Sequence, residues 1–226
     1  MSRISTVVLS LGGSLIAPDD IDTSFLKRLR SLVLRHIRSF RFIIVCGGGR
    51  TARKYQTAAK HAGASKDDLD WIGIIATKLN AWLVKSMFGK LSDKDIVSDP
   101  TKRITAKSKI VVAAGWRPGF STDYDAVLLA KQTKADAVIN LTNVDYVYDK
   151  DPRKHRDAKP ISSITWKEYR QLVGGRWIPG LNIPFDPIAA NEAEKSGIKV
   201  LILNGKNIKN VENAVLGRRF RGTVIQ

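Results

Sequence analysis

Two glycine-rich stretches follow apolar runs and could each bind a phosphate group. They are LSLGGS at 9–14 and IVCGGGR at 44–50. A glycine has no side chain, so Gly12, Gly13, Gly47, Gly48 and Gly49 would let backbone N–H groups approach an anion closely. The side chains of Arg53 and Lys54, about one helical turn beyond the second loop, can reach back to the same anion. One such loop could equally be a tight turn, but two in one sheet favour a donor and an acceptor phosphate site.

Other chemistries that use glycine loops or reactive side chains lack their sequence patterns. The chain contains no G-x-x-x-x-G-K-[ST] stretch, and CGGGRT does not have the spacing of a dinucleotide-binding loop. The three histidines are scattered at 36, 61 and 155, so no zinc-type cluster is evident. Phosphoryl transfer needs positioning and positive charge rather than a protein nucleophile, and this is what the loops offer.

The elements that would position these loops alternate between strands and helices. Apolar runs predict strands at 4–11, 41–46, 109–114, 136–141, 198–203 and 222–226. Helical periodicity predicts helices at about 22–39, 50–62, 67–88, 123–134, 186–196 and 207–216. This alternation indicates an α/β fold with a mostly parallel sheet, whose ligands bind beyond the carboxyl ends of the strands. Region 142–185 reads as a long, functional loop system with one short helix at 165–174.

Length and composition suit one large globular domain or two small ones, in a reducing compartment. The chain has 226 residues, of which 43% are hydrophobic, and its apolar runs are too short to span a bilayer. The N-terminal residues show no signal-peptide pattern. The only cysteine, Cys46, ends an apolar run, which predicts a buried thiol rather than a nucleophile. These features predict a cytoplasmic protein with no membrane association.

The net charge of +17 favours polyanionic partners, either nucleotides or nucleic acid. Much of this charge could simply be solvated helix surface, because the basic residues of helix 22–39 lie mostly outside its apolar stripe and can face water. No stretch interleaves aromatic and basic residues as single-strand binders do. We therefore expect no specific nucleic-acid partner.

Five stretches together resemble one known family. They are LGGS (11–14), CGGGRTARKY (46–55), GWRPGFSTDYDAVLLA (115–130), NLTNVDYVYDKDP (140–152) and FDPIAA (185–190). In this order they resemble the amino-acid kinase fold family, and within it the UMP kinase branch of the archaeal type, over nearly the whole chain. The resemblance implies a three-layer α/β/α sandwich around a mostly parallel sheet. It also implies one domain over 1–226, with an acceptor-binding half at about 1–135 and an ATP-binding half at about 136–226.

The resemblance assigns roles to individual residues. It implies that UMP contacts Gly48, Asp70, Gly115, Trp116, Arg117, Pro118, Gly119, Phe120, Ser121 and Thr122. It implies that ATP contacts Gly13, Ser14, Gly49, Arg53, Thr142, Asn143, Tyr148 and Asp151. Arg53, Asp123 and Asp186 would be catalytic, and no protein metal ligand is implied.

Several of these assignments have structural alternatives. Asp70 could be an acid favoured by a helix dipole, and Asp123 could be an N-cap. Asp186 is expected to cap its helix in any case, and Tyr148 could be a half-buried strand residue.

The sequence departs from the family pattern at Ser10 and Asn191, where many members carry lysine, and at Tyr146, where glycine is usual. Glycine there would relieve a backbone constraint, so this loop could be built differently. Mg²⁺, Arg53, Arg50 or Arg117 could supply the missing positive charge.

The resemblance implies ATP-dependent conversion of UMP to UDP in pyrimidine biosynthesis, with ATP and Mg²⁺ as cofactors. A homo-oligomer, a hexamer, is also implied. Two alternatives remain open: a related kinase acting on isopentenyl phosphate or a carboxylate, and a non-catalytic nucleotide-binding or storage protein on the same fold.

Overall fold

The computed structural model describes residues 5–105, 107–152, 154–173 and 184–226. The strands are β1 Ser5–Leu11, β2 Phe40–Cys46, β3 Ile110–Ala113, β4 Ala137–Thr142, β5 Val147–Tyr148, β6 Pro160–Ile161, β7 Ser163–Ile164, β8 Lys199–Asn204 and β9 Thr223–Ile225. The helices are α1 Gly13–Ile16, α2 Thr23–His36, α3 Gly49–His61, α4 Lys66–Ser86, α5 Thr122–Thr133, α6 Trp166–Val173, α7 Pro187–Lys195 and α8 Ile208–Val215. A short 3₁₀ helix spans Gly89–Leu91.

The main sheet has seven strands in the order β3-β2-β1-β4-β8-β9-β7. The first five are parallel, β9 is antiparallel to β8, and β7 is parallel to β9. Strands β5 and β6 form a separate antiparallel pair. The predicted mostly parallel α/β sheet is confirmed, and the carboxyl ends of β1, β2 and β4 meet at one edge.

Helices cover both faces of this sheet, so the predicted three-layer sandwich is also confirmed. Side chains alternate along a strand, and Leu9 therefore packs on one face while its neighbour Val8 packs on the other. Helices α2, α4 and α8 contribute to the core that contains Leu9. Helices α5, α6 and α7 contribute to the core that contains Val8.

Helix ends follow local sequence signals. Ser65 and Asp68 form a reciprocal capping box at the start of α4. Asp186 accepts the Ile188 N–H at the start of α7, with Pro187 at the first helical position, and Gly197 after the helix has φ +64°. The capping role predicted for Asp186 is confirmed.

Region 142–185 holds more structure than one short helix. Its described part contains β5, β6, β7 and α6. Among described non-glycine residues only Lys134 has positive φ, so Tyr146 does not need the backbone freedom of glycine. That this loop is built differently from the family pattern stays a prediction. Residue 4 of the first predicted strand and residues 174–183 of this region lie outside the described residues.

The single cysteine sits in the core. Cys46 ends β2 and is fully buried, and burial raises the pKa of its thiol far above the usual range. The thiol is therefore held in its neutral, unreactive form, as the sequence predicted.

Within the described ranges, no helix combines the length and apolar character needed to cross a bilayer.

Candidate active site

The two glycine loops touch backbone to backbone at the carboxyl edge of the sheet. A Cβ built on Gly13 would lie 2.1 Å from the Gly49 nitrogen, and one built on Gly49 would lie 2.3 Å from the Gly13 oxygen. Gly49 also has φ +63°, which other residues rarely adopt. Only glycine fits at both positions, so the loops form one continuous backbone surface.

Not all five glycines can offer an N–H group to an anion. The Gly12 N–H donates to the Leu141 oxygen at 2.9 Å, and the Gly47 N–H donates to the Leu11 oxygen at 2.9 Å. These two bonds join the loops to neighbouring strands. Helix α3 begins at Gly49, and the N–H groups of its first turn have no acceptor within the helix. The positive end of α3 therefore faces this edge.

Two side chains of helix α4 form hydrogen bonds with nearby loops, one with the second glycine loop and one with Gly115. The Asn80 side-chain amide donates to the oxygens of Gly47 (2.8 Å) and Gly48 (3.2 Å). The Thr77 hydroxyl accepts the Gly115 N–H at 2.8 Å. Sequence reasoning missed both side chains. The available signal was a stripe of small and polar residues, at 70, 73, 77 and 80, along an otherwise apolar helix.

The loop at residues 115–122 forms a tight turn that the same helix anchors. The Phe120 N–H donates to the Arg117 oxygen at 3.4 Å across Pro118 and Gly119, and Gly119 has φ +83°. The Gly119 N–H donates to Asp70 Oδ2 at 3.2 Å. Asp70 is the fifth residue of α4 and reaches across to this loop, whereas the helix start is occupied by Asp67 and Asp68. The structure thus brings Asp70 and the loop together.

Aromatic side chains stiffen this loop. The rings of Trp116 and Phe120 lie 5.5 Å apart, and those of Phe120 and Tyr124 lie 4.7 Å apart. The Arg117 guanidinium stacks 4.0 Å from the Trp116 ring centre and 4.8 Å from that of Phe120. A cation over an aromatic face is attracted by the ring quadrupole, so Arg117 is held against its own loop.

A cluster of acids lies between the glycine loops and α7. The Ser10 hydroxyl donates to Asp123 Oδ1 at 2.9 Å, and the Asp186 N–H approaches Asp123 Oδ2 at 3.4 Å. Asp123 is not the N-cap of α5; Ser121 takes that position. The pKa of Asp123 is raised to about 7, first by burial and then by the nearby charge of Asp186, against the opposing effect of the Ser10 hydrogen bond.

Asp186 connects this cluster to the loop as well as capping α7. Its Oδ2 accepts the Ser121 hydroxyl at 2.5 Å while Oδ1 accepts the Ile188 N–H at 2.9 Å. Burial raises the pKa of Asp186, and these hydrogen bonds act against the rise.

Asp125 is a second buried acid that the sequence analysis did not select. Its Oδ2 accepts the Trp116 N–H at 3.1 Å, whereas its buried Oδ1 has no hydrogen-bond partner among the described residues. Burial raises the pKa of Asp125 to about 7, and the charges of Asp123 and Asp99 add to the rise. A buried, half-satisfied acid beside a candidate substrate loop is typical of functional sites.

Asp125→Asn should reduce the loss of stability at high pH. Because the folded pKa of Asp125 (about 7) exceeds its ordinary value of 3.8, this residue lowers stability as pH rises from about 4 to about 7. An amide can still accept the Trp116 N–H without carrying charge. The variant's gain over the parent should therefore grow by a few kcal/mol, on the order of the shift itself, between pH 4 and pH 8. Urea unfolding at both pH values measures it, with exposed Asp20→Asn as control; equal pH dependence in all three proteins would contradict the expectation.

The three candidate arginines occupy different surroundings. Arg50 pairs with Asp19 at 2.6 Å, and Arg117 stacks on the rings of its loop. Arg53 is exposed on α3, one turn past Gly49, and its guanidinium has no hydrogen bond or ion pair within the described part of the chain. Of the three, Arg53 is the one whose guanidinium is not already engaged.

The remaining predicted residues lie at the end of β4, in the segment after it, and in α1. Thr142 ends β4, and its hydroxyl lies 3.4 Å from Asn143 Oδ1. Tyr148 lies in β5 with its ring 6.4 Å from that of Tyr146, edge to face. The Asp151 backbone oxygen accepts N–H groups from Lys154 and His155. Ser14 lies in α1, directly after Gly13.

Comparison with known proteins gives the family. A model of the amino acid kinase family matches residues 5–204. This chain belongs to the amino acid kinase family. Among amino acid kinase relatives, the uridylate kinase of Methanospirillum hungatei is 37% identical over 223 residues, covering 97% of this chain and 94% of that protein. The recognised family and its fold are thereby confirmed.

Solved amino acid kinase structures agree with the architecture. The crystal structure of uridylate kinase from Archaeoglobus fulgidus has a TM-score of 0.85 and 35% identity, covering 97% of this chain and 99% of that one. UMP kinase from Ureaplasma parvum, at 20% identity and a TM-score of 0.80, covers 99% of both chains and shows the shared fold alone.

Proposed function

We propose that this protein phosphorylates UMP to UDP with ATP, as a nucleoside monophosphate kinase of pyrimidine biosynthesis. The observation that carries the proposal is the contact between Gly13 and Gly49. Two glycine backbones that lie side by side support a donor and an acceptor phosphate site at this edge. The uridylate kinase relatives, which span nearly the whole chain, support UMP as the acceptor. A cytoplasmic location is proposed with it, from the single buried thiol.

On this proposal the acceptor occupies the α4 side of the site. Gly48 binds the UMP phosphate, and the loop from Gly115 to Thr122 closes over the nucleotide. Asp70 holds Gly119 through Oδ2, and we assign its other oxygen to the ribose hydroxyls. These residues belong to the half at about 1–135.

ATP occupies the side that faces β4. Gly13, Ser14 and Gly49 meet its phosphates, with Arg53 at the junction. The nucleoside lies against the segment after β4, contacting Thr142, Asn143, Tyr148 and Asp151. Most of this second group belongs to the half at about 136–226, while one sheet runs through both halves.

In the transfer, an oxygen of the UMP phosphate attacks the γ-phosphorus of ATP. The bond from that phosphorus to the β–γ bridging oxygen breaks, and ADP leaves with the electron pair. Because the attacking phosphate is already anionic at neutral pH, no protein base is required. Arg53 faces the charge on the equatorial oxygens, and Asp123, oriented by Ser10, organises the reacting centre beside Asp186.

The resemblance implies Mg²⁺ as the metal, and the question is whether side chains of the protein could bind it directly. No group of three or more His, Cys, Asp or Glu residues in the described ranges could hold a metal ion. The described residues therefore offer no cage of three such ligands, and this is compatible with a cation that arrives bound to the ATP phosphates. When bound there, Mg²⁺ would neutralise part of the negative charge of the ATP phosphates.

UMP should be strongly preferred over CMP, AMP and isopentenyl phosphate. The assay incubates the protein with Mg-ATP and each acceptor and follows ADP and the phosphorylated product. Equal turnover of CMP, or faster turnover of an isoprenoid phosphate or carboxylate than of UMP, would contradict the assignment of UMP as the acceptor. Nucleotide binding without any product would instead identify a non-catalytic binding or storage protein.

Asp70→Asn should raise KM for UMP while leaving KM for ATP nearly unchanged. Losing a charge-assisted hydrogen bond to ribose costs about 1.5–3 kcal/mol, which is roughly ten- to 150-fold in KM. Asp67→Asn, an exposed acid in the first turn of the same helix, is the matched control. If calorimetry shows normal UMP binding by the Asp70 variant, this carboxylate only anchors the loop.

A homo-oligomer, with the hexamer implied by resemblance, is part of the proposal. The outer face of α4 exposes Trp71, Ile75, Leu79 and Trp82, which recur every three or four residues. Tyr55 of α3, 67% exposed, extends the same apolar character to the neighbouring helix. Contiguous apolar surface of this kind is typical of an interface. A monomer in sedimentation equilibrium would exclude it.

A further inference from the structure

One flank of the molecule carries only positive exposed charge. It is formed by α2 and the residues just after it, and by α8 with the turns that precede and follow it. We call it the cationic flank; its side chains are Lys27, Arg28, Arg35, Arg38, Lys206, Lys209, Arg218, Arg219 and Arg221, all exposed.

Acidic side chains offset little of this charge. Residues 23–39 contain no Asp or Glu, and residues 205–222 contain only Glu212. Glu212 is buried, with its Oε1 lying 2.8 Å from both Arg35 Nη1 and His36 Nε2. These hydrogen bonds hold the pKa of Glu212 at about 2, so it stays a buried, paired carboxylate. Glu212 also pairs with Lys209 through Oε2 at 3.3 Å, so it offsets part of the charge of Arg35 and Lys209. The other seven cations of the flank have no ion pair among the described residues, and the flank keeps a large positive excess.

Direct contacts fix the three elements relative to one another. The pairs of Glu212 with Arg35 and His36 join α2 to α8. Asn210 of α8 holds the following turn, since its amide donates to the Arg221 oxygen and its Oδ1 accepts the Arg221 N–H, both at 2.7 Å. The Arg218 N–H donates to the Asn213 oxygen at 2.8 Å. These contacts hold the backbone segments that carry the cations in a fixed arrangement, so the cations belong to one surface rather than to independent tails.

We infer that the cationic flank binds the phosphodiester backbone of nucleic acid without sequence preference. Helix α2 has 14 residues and is about 21 Å long, over which one strand of a duplex presents about six phosphates. An anionic bilayer fits less well, because no large apolar side chain is exposed on these described elements for insertion. This property goes beyond the proposed kinase activity, whose site lies at the carboxyl edge of the sheet.

The test measures binding of fluorescent 20-mers of adenylate, as RNA and as DNA, by anisotropy at several salt concentrations. UMP and ADP are kept saturating so that the nucleotide sites are filled. For single strands, log K should fall with log salt at about −0.7 per phosphate contacted, so six contacts give a slope near −4. Binding that ignores salt, or no binding at 50 mM salt, would overturn the inference.

Two triple variants of equal charge separate a built surface from general basicity. The flank variant carries Lys27→Gln, Arg38→Gln and Arg218→Gln. The control variant carries Lys134→Gln, Lys167→Gln and Lys195→Gln, near the helices on the opposite face of the sheet. Both lower the formal charge by three.

Loss of three phosphate contacts should weaken binding about 10²-fold at 0.1 M salt and flatten the slope by about 2. The control variant should bind within about threefold of the parent by the same reasoning. Equal weakening in both variants would reduce the effect to net charge and contradict the inference. Tighter binding to phosphatidylserine vesicles than to either oligonucleotide would assign the flank to membranes instead.

Discussion

Arg53→Ala should lower kcat by about 10²–10³-fold while changing KM for either substrate far less. Charge on the three equatorial oxygens of the transferred phosphoryl group needs a positive partner, and neither Ser10 nor Asn191 can supply one. Arg50 and Arg117 are engaged with Asp19 and with aromatic rings, which leaves Arg53 on α3. Its planar fork can hold two phosphate oxygens at once, so Arg53→Lys should recover only part of the rate.

Steady-state kinetics with both substrates varied, on variants whose folding is checked by thermal melting, measures this effect. Lys60→Ala is the matched control, since it removes an exposed cation from the last turn of the same helix, away from the glycine loop. A raised KM with kcat near that of the parent would mean that Arg53 holds only ground-state phosphate. The transition-state role would then be wrong.

Gly13→Ala should cost at least about 10²-fold in kcat/KM, because it pushes the two glycine loops apart. The new methyl group would lie 2.1 Å from the Gly49 nitrogen and 2.6 Å from the Gly47 oxygen, and backbone must move to relieve this overlap. Overpacking of this kind also destabilises a fold by about 1–3 kcal/mol.

Gly197→Ala provides a control that strains the backbone without an overlap. Gly197 has φ +64° and no atom within 4 Å of a built Cβ, so the variant should lose about 1 kcal/mol of stability and keep its activity. Kinetics and urea unfolding on both variants make the comparison. Full activity in a folded Gly13→Ala protein would show that the loops tolerate separation.

The regular part of the fold was predictable because each element carries its own signal. Helix α7 illustrates this: Asp186, Pro187 and Gly197 mark its ends in the sequence, and the helix spans Pro187–Lys195. The two-residue strands β5, β6 and β7 are too short for any periodicity. They depend on distant partners such as Thr223, whose hydroxyl accepts the Val147 N–H at 2.8 Å.

The site was predictable as a set of residue types but not as a set of bonds. Glycines in both loops were recognised, yet the use of the Gly12 N–H depends on β4 lying beside β1, which local sequence does not encode. Asp125 was missed because its importance comes from burial and from the Trp116 N–H, and both arise only when α5 packs on the sheet.

The thiol of Cys46 can report local opening of the sheet. Its thiol is fully buried at the end of β2, immediately before the glycines of the second loop, and it is the only one in the protein. A thiol reagent can therefore modify the native chain at one position, and only after the sheet opens there, so the labelling rate measures the free energy of that opening. A nucleotide bound at the adjoining loops should slow labelling about 100-fold at a concentration of 100 Kd. Ligand affinity could thus be read from an unmodified protein without following turnover.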